Sequence, residues 1–301
     1  MIFKNVELIP FNFKRMADDN YLITSVTGDF EFISQDNLKK IIVRDESLDL
    51  ELYLKLKSKF FLMSQNAIGS KRALTSRLHA KKSTILEGTS LHIIVVTIQC
   101  MHSCSYCQVS RQQAGDEFTI SRKDLLLACD TIFESTSDTL TVEFQGGDPL
   151  IKYDLVKLAI EYITEKNKEH NRSLRFVVTT TLHQLTSEMC LFFKEHQVVL
   201  STSIDGLADL HNKNRPIANR DAYERTIEGL ELARQELGQD SVSALMTTTR
   251  KSLNYPSEIV DAYVQLGFKD IFIRGLSDYG FAKKNSKRLA PTHAEFLDFY
   301  E

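Results

Sequence analysis

The sequence predicts an α/β fold with a mostly parallel sheet or a partial barrel, preceded by a small α+β module. From residue 91 onwards, apolar runs alternate with amphipathic segments of helical period, which is the pattern of successive βαβ units. Residues 1–65 instead alternate short β-like runs with turn signals, which is typical of a separate small unit. The 301 residues are enough for two domains.

The module of residues 1–65 is predicted to be winged-helix-like. Residues 21–33 read as two strands around a turn at residues 27–29. Ser34 is a plausible N-cap for a short helix over residues 35–43, and residues 48–61 carry apolar side chains three and four apart. The polar, basic segment 66–90 is predicted to be a linker or a short crossing helix, with a peptide-binding patch as the alternative to a solvated face.

Residues 91–285 are predicted to form the sheet and its helices. The predicted strands are 92–99, 139–145, 174–180, 198–204, 242–247 and 270–274. The predicted helices lie near 121–136, 152–169, 186–195, 221–236 and 256–266. Chemistry in such folds sits at the carboxyl ends of the strands, where every motif described below falls. Residues 286–301 are predicted to begin a C-terminal region, and the abrupt end favours truncation.

Composition and charge narrow the class of protein. Apolar residues make up 43% and charged residues 26% of the chain, which argues against disordered, fibrous and coiled-coil classes. A net charge of −3 gives no overall field that would attract nucleic acid or an anionic membrane. The N-terminus has no signal-peptide pattern, and no apolar run approaches the roughly 20 residues of a spanning helix. We therefore predict a cytoplasmic protein whose cysteines are thiols or metal ligands.

Three of the five cysteines lie within eight positions, in the spacing C-x3-C-x2-C directly after the first strand of the predicted sheet. These are Cys100, Cys104 and Cys107. Three soft ligands on one loop suit an iron–sulfur cluster, and a cubane cluster would keep one iron open to a small molecule. The alternative is a structural zinc site with His102 or another residue as fourth ligand. The two other cysteines fall in predicted helices and are read as core residues.

The cysteine loop, with Tyr106 before its last cysteine, resembles that of the radical SAM enzymes. The resemblance implies a partial (β/α)6 TIM-like barrel and a [4Fe-4S] cluster held by Cys100, Cys104 and Cys107. It also implies that S-adenosylmethionine chelates the fourth iron and is cleaved reductively to a 5′-deoxyadenosyl radical that abstracts hydrogen. Tyr106 is counted among the cofactor-binding candidates.

Three further segments support the resemblance. Gly146, Gly147 and Asp148, in the run Gly-Gly-Asp-Pro, resemble the family's Gly-Gly-Glu-Pro motif, which receives the methionine amino group, with aspartate in place of glutamate. Thr180 stands where related enzymes often have a Thr-Asn-Gly strand end. The segment Ser-Ile-Asp-Gly…His-x-x-x-Arg makes Ser203 a candidate for the ribose or methionine part, and Arg215 a partner for Asp205 or for a carboxylate.

The Ser-Ile-Asp-Gly…His-x-x-x-Arg segment is similar to the sulfatase-maturase-like, SPASM-type branch that modifies peptides. The run at residues 104–112 and Gly-Phe-Ala at 280–282 are most like the His-Xaa-Ser system maturases. The resemblance implies a precursor peptide or protein substrate, a reductant such as a flavodoxin or ferredoxin, and a front module that adds a peptide strand to its sheet. It also implies auxiliary clusters, yet no cysteine follows Cys190. A small-molecule substrate and a non-enzymatic zinc-binding adaptor are the alternatives.

Overall fold

The computed structural model describes residues 3, 5–16, 19–86 and 88–301. The chain divides into two compact units, Met1–Gly88 and Thr89–Glu301. No helix among the described residues is both long enough and apolar enough to cross a membrane.

In its described residues, the first unit combines two small antiparallel sheets with three helices. Its elements are β1 (Val6–Leu8), β2 (Phe11–Arg15), β3 (Asn20–Ser25), β4 (Phe30–Ser34), α1 (Gln35–Val43), α2 (Leu50–Ser58), β5 (Leu62–Ser64) and α3 (Ile68–Leu86). Strands β2, β3 and β4 form one sheet, and β1 pairs with β5 in the other. Fully buried Ile23, Ile41, Leu56 and Phe61 belong to its core.

The local predictions for this unit are confirmed at the hairpin and at the first helix. β3 pairs with β4 across the turn, and the Ser34 side chain accepts a hydrogen bond from the backbone N–H of Asn37 to cap α1. Helix α3 occupies most of the segment that was predicted as a linker or a short helix. The likeness to a winged helix stays a prediction.

The second unit contains a six-stranded parallel sheet with its helices. Its elements are β6 (Leu91–Thr97), α4 (Arg122–Ile132), β7 (Thr139–Gly146), α5 (Tyr153–His170), β8 (Ser173–Thr179), α6 (Ser187–Glu195), β9 (Val199–Ser203), α7 (Ala208–Asn214), α8 (Ala222–Leu237), β10 (Val242–Thr247), α9 (Pro256–Gln265), β11 (Phe272–Arg274), α10 (Gly280–Leu289) and α11 (His293–Tyr300). The strands stand in chain order from β6 to β11, and every neighbouring pair is parallel. This confirms the predicted α/β sheet, which is consistent with a partial barrel.

Side-chain alternation along the strands gives the sheet one apolar face and one polar face. On β7, Val142 and Phe144 are fully buried in a core shared with the helices. Glu143 and Gln145, one residue out of step, line a cavity at the carboxyl end of the sheet. The polar ends of the neighbouring strands therefore meet at one edge, as the parallel topology requires.

Candidate functional site

The cysteine loop follows β6 and is fixed by backbone hydrogen bonds at both ends. The backbone N–H of Cys100 donates to the carbonyl of Gln112 at 2.8 Å, which closes the loop at its base. The N–H of Cys107 donates to the carbonyl of Cys104 at 3.3 Å, which makes a tight turn. From α10, the N–H of Ala282 donates to the carbonyl of Cys107 at 3.0 Å. The loop therefore has a defined conformation before any ligand is considered.

The three thiols differ in exposure. Cys100 and Cys104 are buried, whereas Cys107 is half-buried. Burial raises the pKa of the Cys100 thiol to about 12 and that of the Cys104 thiol to about 11. Metals bind the thiolate, so metal binding at these two residues would release their protons.

Gly146 and Gly147 allow the end of β7 to press against the start of the cysteine loop. Gly146 has φ +132°, and a Cβ on it would lie 2.1 Å from the carbonyl oxygen of Thr97. A Cβ on Gly147 would lie 2.0 Å from the carbonyl oxygen of Gln99. The N–H groups of Gly147 and Asp148 donate to those same two carbonyls, both at 2.8 Å. Side chains at these positions would therefore break the contact that aligns the loop.

Asp148 is buried, and its carboxylate is hydrogen-bonded to residues at the end of β8. Its carboxylate accepts from the Thr180 hydroxyl at 2.7 Å, and from the N–H and hydroxyl of Thr181 at 3.0 and 2.5 Å. It also accepts from the N–H of Leu150 at 3.1 Å. Asp148 and Thr180 are thus bonded to each other, and neither is among the described residues that line the cavity.

These contacts predict that Asp148→Asn destabilises the protein. In the variant, an amide N–H₂ group takes the place of one carboxylate oxygen that now accepts hydrogen bonds. Two donors then face each other, and leaving one of them buried without an acceptor costs about 1–3 kcal/mol. Chemical denaturation measures the change in free energy of unfolding. Exposed Asp261 on α9 supplies the control, Asp261→Asn, for which a change within about 0.5 kcal/mol is expected. Equal stabilities of the two variants would contradict the structural role of Asp148.

A buried polar network lies behind the cysteine loop. The Tyr106 hydroxyl donates to the Asp205 carboxylate, with O···O distances of 2.8 and 3.0 Å. Nη1 of Arg215 donates to the same hydroxyl at 3.0 Å. Burial raises the pKa of Tyr106 and that of Asp205, and the charge of Arg215 opposes both shifts. Burial also lowers the pKa of Arg215, but Tyr106, Cys104 and Asp205 outweigh it, so the guanidinium stays charged.

Three histidines near Arg215 have lowered pKa values. Burial lowers the pKa of His102, His183 and His211, and the charge of Arg215 adds to the effect in each case. Nδ1 of His102 lies 3.1 Å from the carbonyl oxygen of Arg215, which makes that nitrogen the N–H donor. His102, the fourth ligand considered for zinc, is not among the described residues that line the cavity.

A cavity of about 250 Å³ collects most of the predicted site residues at the carboxyl edge of the sheet. Those that line it are Cys100, Cys104, Tyr106, Cys107, Gly146, Gly147, Ser203 and Arg215. Its wall also includes residues to which the sequence assigned no role, among them Arg111, Glu143, Thr179 and Arg274. Thr179 and Arg274 are the last residues of their strands, and from that position the sequence predicts Arg274 near the barrel mouth, where a substrate could lie, although no motif fixes its role.

The family model described as the radical SAM superfamily matches residues 94–261, which include the cysteine loop and strands β7 to β10. The chain belongs to the radical SAM superfamily. Membership implies a [4Fe-4S] cluster and S-adenosylmethionine as cofactors of this radical SAM chain.

Curated relatives include two named enzymes. The cysteine-type anaerobic sulfatase-maturating enzyme of Clostridium novyi is 25% identical over 143 residues, which are 45% of this chain and 37% of that protein. The PqqA peptide cyclase of Bradyrhizobium diazoefficiens is 26% identical over 207 residues, 67% of this chain and 50% of that protein. An uncharacterized protein of Methanothermobacter thermautotrophicus is 25% identical over 188 residues, 59% of this chain and 65% of that protein. The radical SAM chain therefore spans less than two thirds of each of these relatives.

Solved structures share the fold. The structure of anSMEcpe with bound AdoMet superimposes with a TM-score of 0.56 and 17% identity, covering 62% of this chain and 51% of that one. Streptococcus suis SuiB bound to S-adenosylmethionine superimposes with a TM-score of 0.54 and 13% identity, covering 98% of this chain and 68% of SuiB. SuiB bound to its precursor peptide SuiA superimposes with a TM-score of 0.50 and 14% identity, covering 91% of this chain and 62% of SuiB. At these identities the likeness shows the fold alone.

The donor set of the loop is compatible with a multi-iron cluster. Within the part of the chain that the structure describes, no group of three or more Cys, His, Asp or Glu side chains could hold one shared metal ion. A cubane cluster does not need such a group, because each of its thiolates binds a different iron. Cys100, Cys104 and Cys107 all face one cavity, and thiolates are the ligands that iron–sulfur clusters take.

Proposed function

We propose that this radical SAM chain modifies a peptide or protein side chain by hydrogen abstraction, with the cluster held by Cys100, Cys104 and Cys107. The observation that carries the proposal is that these three thiols share one cavity with Gly146, Gly147, Ser203 and Arg215. The cavity lies at the carboxyl edge of a parallel sheet, which is where such folds bind ligands.

When bound and reduced, the cluster supplies the electron that cleaves S-adenosylmethionine and so generates the hydrogen-abstracting radical. The chain's own residues bind and orient the cofactor. Cys100, Cys104 and Cys107 would hold three irons of a four-iron cluster, which would leave the fourth iron open to a small molecule. Arg215, charged and held by Tyr106, offers its planar fork to a carboxylate, and Ser203 offers a hydroxyl.

In this proposal Asp148 and Thr180 position the site instead of touching the cofactor. Their mutual hydrogen bond ties the turn after β7 to the end of β8. That turn carries Gly147, whose N–H holds the carbonyl of Thr97 at the start of the cysteine loop. The pair therefore acts on the cofactor site through the backbone.

A peptide substrate is supported by the named relatives. They include a sulfatase-maturating enzyme and a peptide cyclase, and SuiB has been solved with its precursor peptide. In the first unit, β4 forms an edge of the three-stranded sheet, which is the kind of strand to which a peptide strand can be added. The carbonyl of Phe30, at the start of β4, already accepts a hydrogen bond from Nζ of Lys59 at 2.7 Å. Because the chain spans only part of these relatives, its substrate is a proposal.

The test is to purify the protein anaerobically, reconstitute it with iron and sulfide, and measure visible spectrum, iron content and reductive cleavage of S-adenosylmethionine. The wild type is expected to be brown, with about four irons per chain. The triple variant Cys100→Ala/Cys104→Ala/Cys107→Ala is expected to lose the colour, the iron and the cleavage.

A matched control removes the two cysteines outside the loop. Cys129 and Cys190 are buried in α4 and α6, so the variant Cys129→Ala/Cys190→Ala should keep its iron and its spectrum. Colourless wild-type protein that retains zinc would overturn the proposal and support the zinc-binding adaptor. Iron retained by the triple variant would show that the loop is not the cluster site.

A further inference from the structure

Helix α10 packs directly on the outside of the cysteine loop. Besides the hydrogen bond from Ala282 to Cys107, Nδ2 of Asn285 donates to the carbonyl of Ser105 at 2.9 Å. Leu289, at the end of the helix, is buried in a small cluster with Cys104 and Tyr106. One face of α10 is therefore committed to the loop that carries the cysteines.

The opposite face of α10 is basic and exposed. It carries Lys283, Lys284, Lys287 and Arg288, all open to solvent. Spacings of one and four residues place these four side chains together on one side of the helix. We refer to them as the α10 basic face.

The stability of the helix explains the α10 basic face only in part, because Lys287 and Arg288 lie in the last turn, where positive charge is favourable, whereas Lys283 and Lys284 do not. Lys283 with Lys287, and Lys284 with Arg288, are like charges at i,i+4, a spacing that destabilises a helix. Within the described residues, no carboxylate lies within ion-pair distance of any of the four. The whole chain has a net charge of −3, so overall composition does not account for the cluster either.

Two arginines extend the positive charge from α10 to the mouth of the cavity. The Arg111 guanidinium stacks on the ring of Phe281, 4.6 Å from its centroid. Nη2 of Arg274 donates to Oε1 of Gln108 at 2.5 Å. Both arginines line the cavity, and neither has an ion-pair partner among the described residues. Through Phe281, helix α10 contacts one of these two arginines, so positive charge is found both on the helix and on the wall of the cavity beside it.

We propose that the α10 basic face is the docking surface for an acidic one-electron carrier protein that reduces the cluster. The inference rests on the proposed function, because it assumes a cluster at the cysteine loop. The positive charge of the face favours an acidic partner. Its position favours an electron carrier, because the face lies one helix diameter, about 10 Å, from the cysteine loop. A substrate must enter the cavity, whereas an electron donor needs only to stand close to the cluster.

The step at this surface is a single electron transfer. The flavin or iron–sulfur group of the carrier is oxidised by one electron, and the cluster is reduced by one electron. No bond forms or breaks, and no proton has to move. The face therefore has to supply only proximity and orientation, which long-range charge attraction provides.

The experiment compares two variants that each lose three lysines and one arginine. The first is Lys283→Gln/Lys284→Gln/Lys287→Gln/Arg288→Gln. The control, Lys39→Gln/Lys71→Gln/Arg72→Gln/Lys82→Gln, removes the same charge from exposed positions of the first unit. The probe is a purified acidic flavodoxin, whose binding to each reconstituted protein is measured by isothermal titration calorimetry. A second readout compares cleavage of S-adenosylmethionine driven by reduced flavodoxin with cleavage driven by dithionite.

The α10 variant is expected to bind flavodoxin about tenfold or more weakly than wild type at low ionic strength, whereas the control stays within about twofold. The difference should disappear near 1 M salt, where the Debye length is about 3 Å. Flavodoxin-driven cleavage should fall in parallel while dithionite-driven cleavage is kept. If four substitutions unfold α10, the pair Lys283→Gln/Lys287→Gln is used instead and a smaller loss in the same direction is expected.

Two results would overturn the inference. Unchanged flavodoxin binding in the α10 variant would show that the face is not the docking surface, and an acidic peptide would become the favoured partner. Equal weakening in both variants would show attraction by charge without a site. Wild-type protein that fails to cleave S-adenosylmethionine with dithionite would instead contradict the proposed function, independently of the binding result.

Discussion

Replacement of Gly147 by alanine is expected to remove iron binding from the cysteine loop and to cost about 3 kcal/mol of stability. The added Cβ would lie 2.0 Å from the carbonyl oxygen and 2.5 Å from the carbonyl carbon of Gln99, and 2.6 Å from the carbonyl carbon of Ile98. These are backbone atoms, so no side-chain rotation relieves the overlap. The loop must move away from β7, and Cys100 is the next residue along it.

The measurements are the free energy of unfolding from chemical denaturation and the iron content after reconstitution. Gly275 follows β11 in the same unit, and nothing lies within 4 Å of a Cβ built on it, so Gly275→Ala is the matched control. The control should keep both its iron and its stability. If Gly147→Ala bound iron like wild type, the close contact would not be what positions the cysteine loop.

Much of the second unit could be predicted because apolar residues recur in its sequence with the periods that are typical of strands and helices. Five of the predicted strands coincide with β6 to β10 to within about two residues, since buried strands and amphipathic helices have distinct patterns. The sixth was predicted over 270–274 but pairs only over 272–274, where it meets β10. Helix α7, seven residues long, was not predicted, because so short a segment shows no clear helical period.

The site was predicted less completely, because a motif names residues but not their partners. The sequence placed Asp148 at the cofactor, yet its hydrogen bonds go to Thr180, Thr181 and Leu150. That choice depends on the turn after β7 meeting the end of β8, which is tertiary geometry. The positive charges of residues 283–288 can be read from the sequence, but their place against the cysteine loop is visible only in the fold.

The second large effect is expected at Arg215, in the buried network with Tyr106 and Asp205. Arg215→Gln removes the positive charge that stabilises the fully buried Asp205 carboxylate, to which Arg215 is linked through the Tyr106 hydroxyl. Breaking a buried charge pair by removing one partner costs about 3–5 kcal/mol, because the remaining charge has lost its compensation. The variant should therefore be strongly destabilised at neutral pH, as measured by chemical denaturation.

The loss of stability in Arg215→Gln is expected to increase with pH. Burial already raises the pKa of Asp205, and without Arg215 it rises further. In the unfolded chain an aspartate has a pKa of about 3.9. At pH values between this pKa and the raised pKa of Asp205 in the native state, the native state binds more protons than the unfolded state. Stability of the variant therefore falls as pH rises through this window and is greatest below it. Compared with wild type, Arg215→Gln should therefore lose most stability above this pH window and should regain stability as the pH is lowered through it.

Two further variants separate charge from packing. Asp205→Asn/Arg215→Gln carries neither charge, so above the window it should be more stable than Arg215→Gln alone, and its stability should show no pH dependence from residue 205. Arg220→Gln, at an exposed loop position, serves as the control and should change stability by no more than about 0.5 kcal/mol. A pH-independent loss in Arg215→Gln would mean that the guanidinium contributes packing and hydrogen bonding to Tyr106 instead of compensating the charge of Asp205.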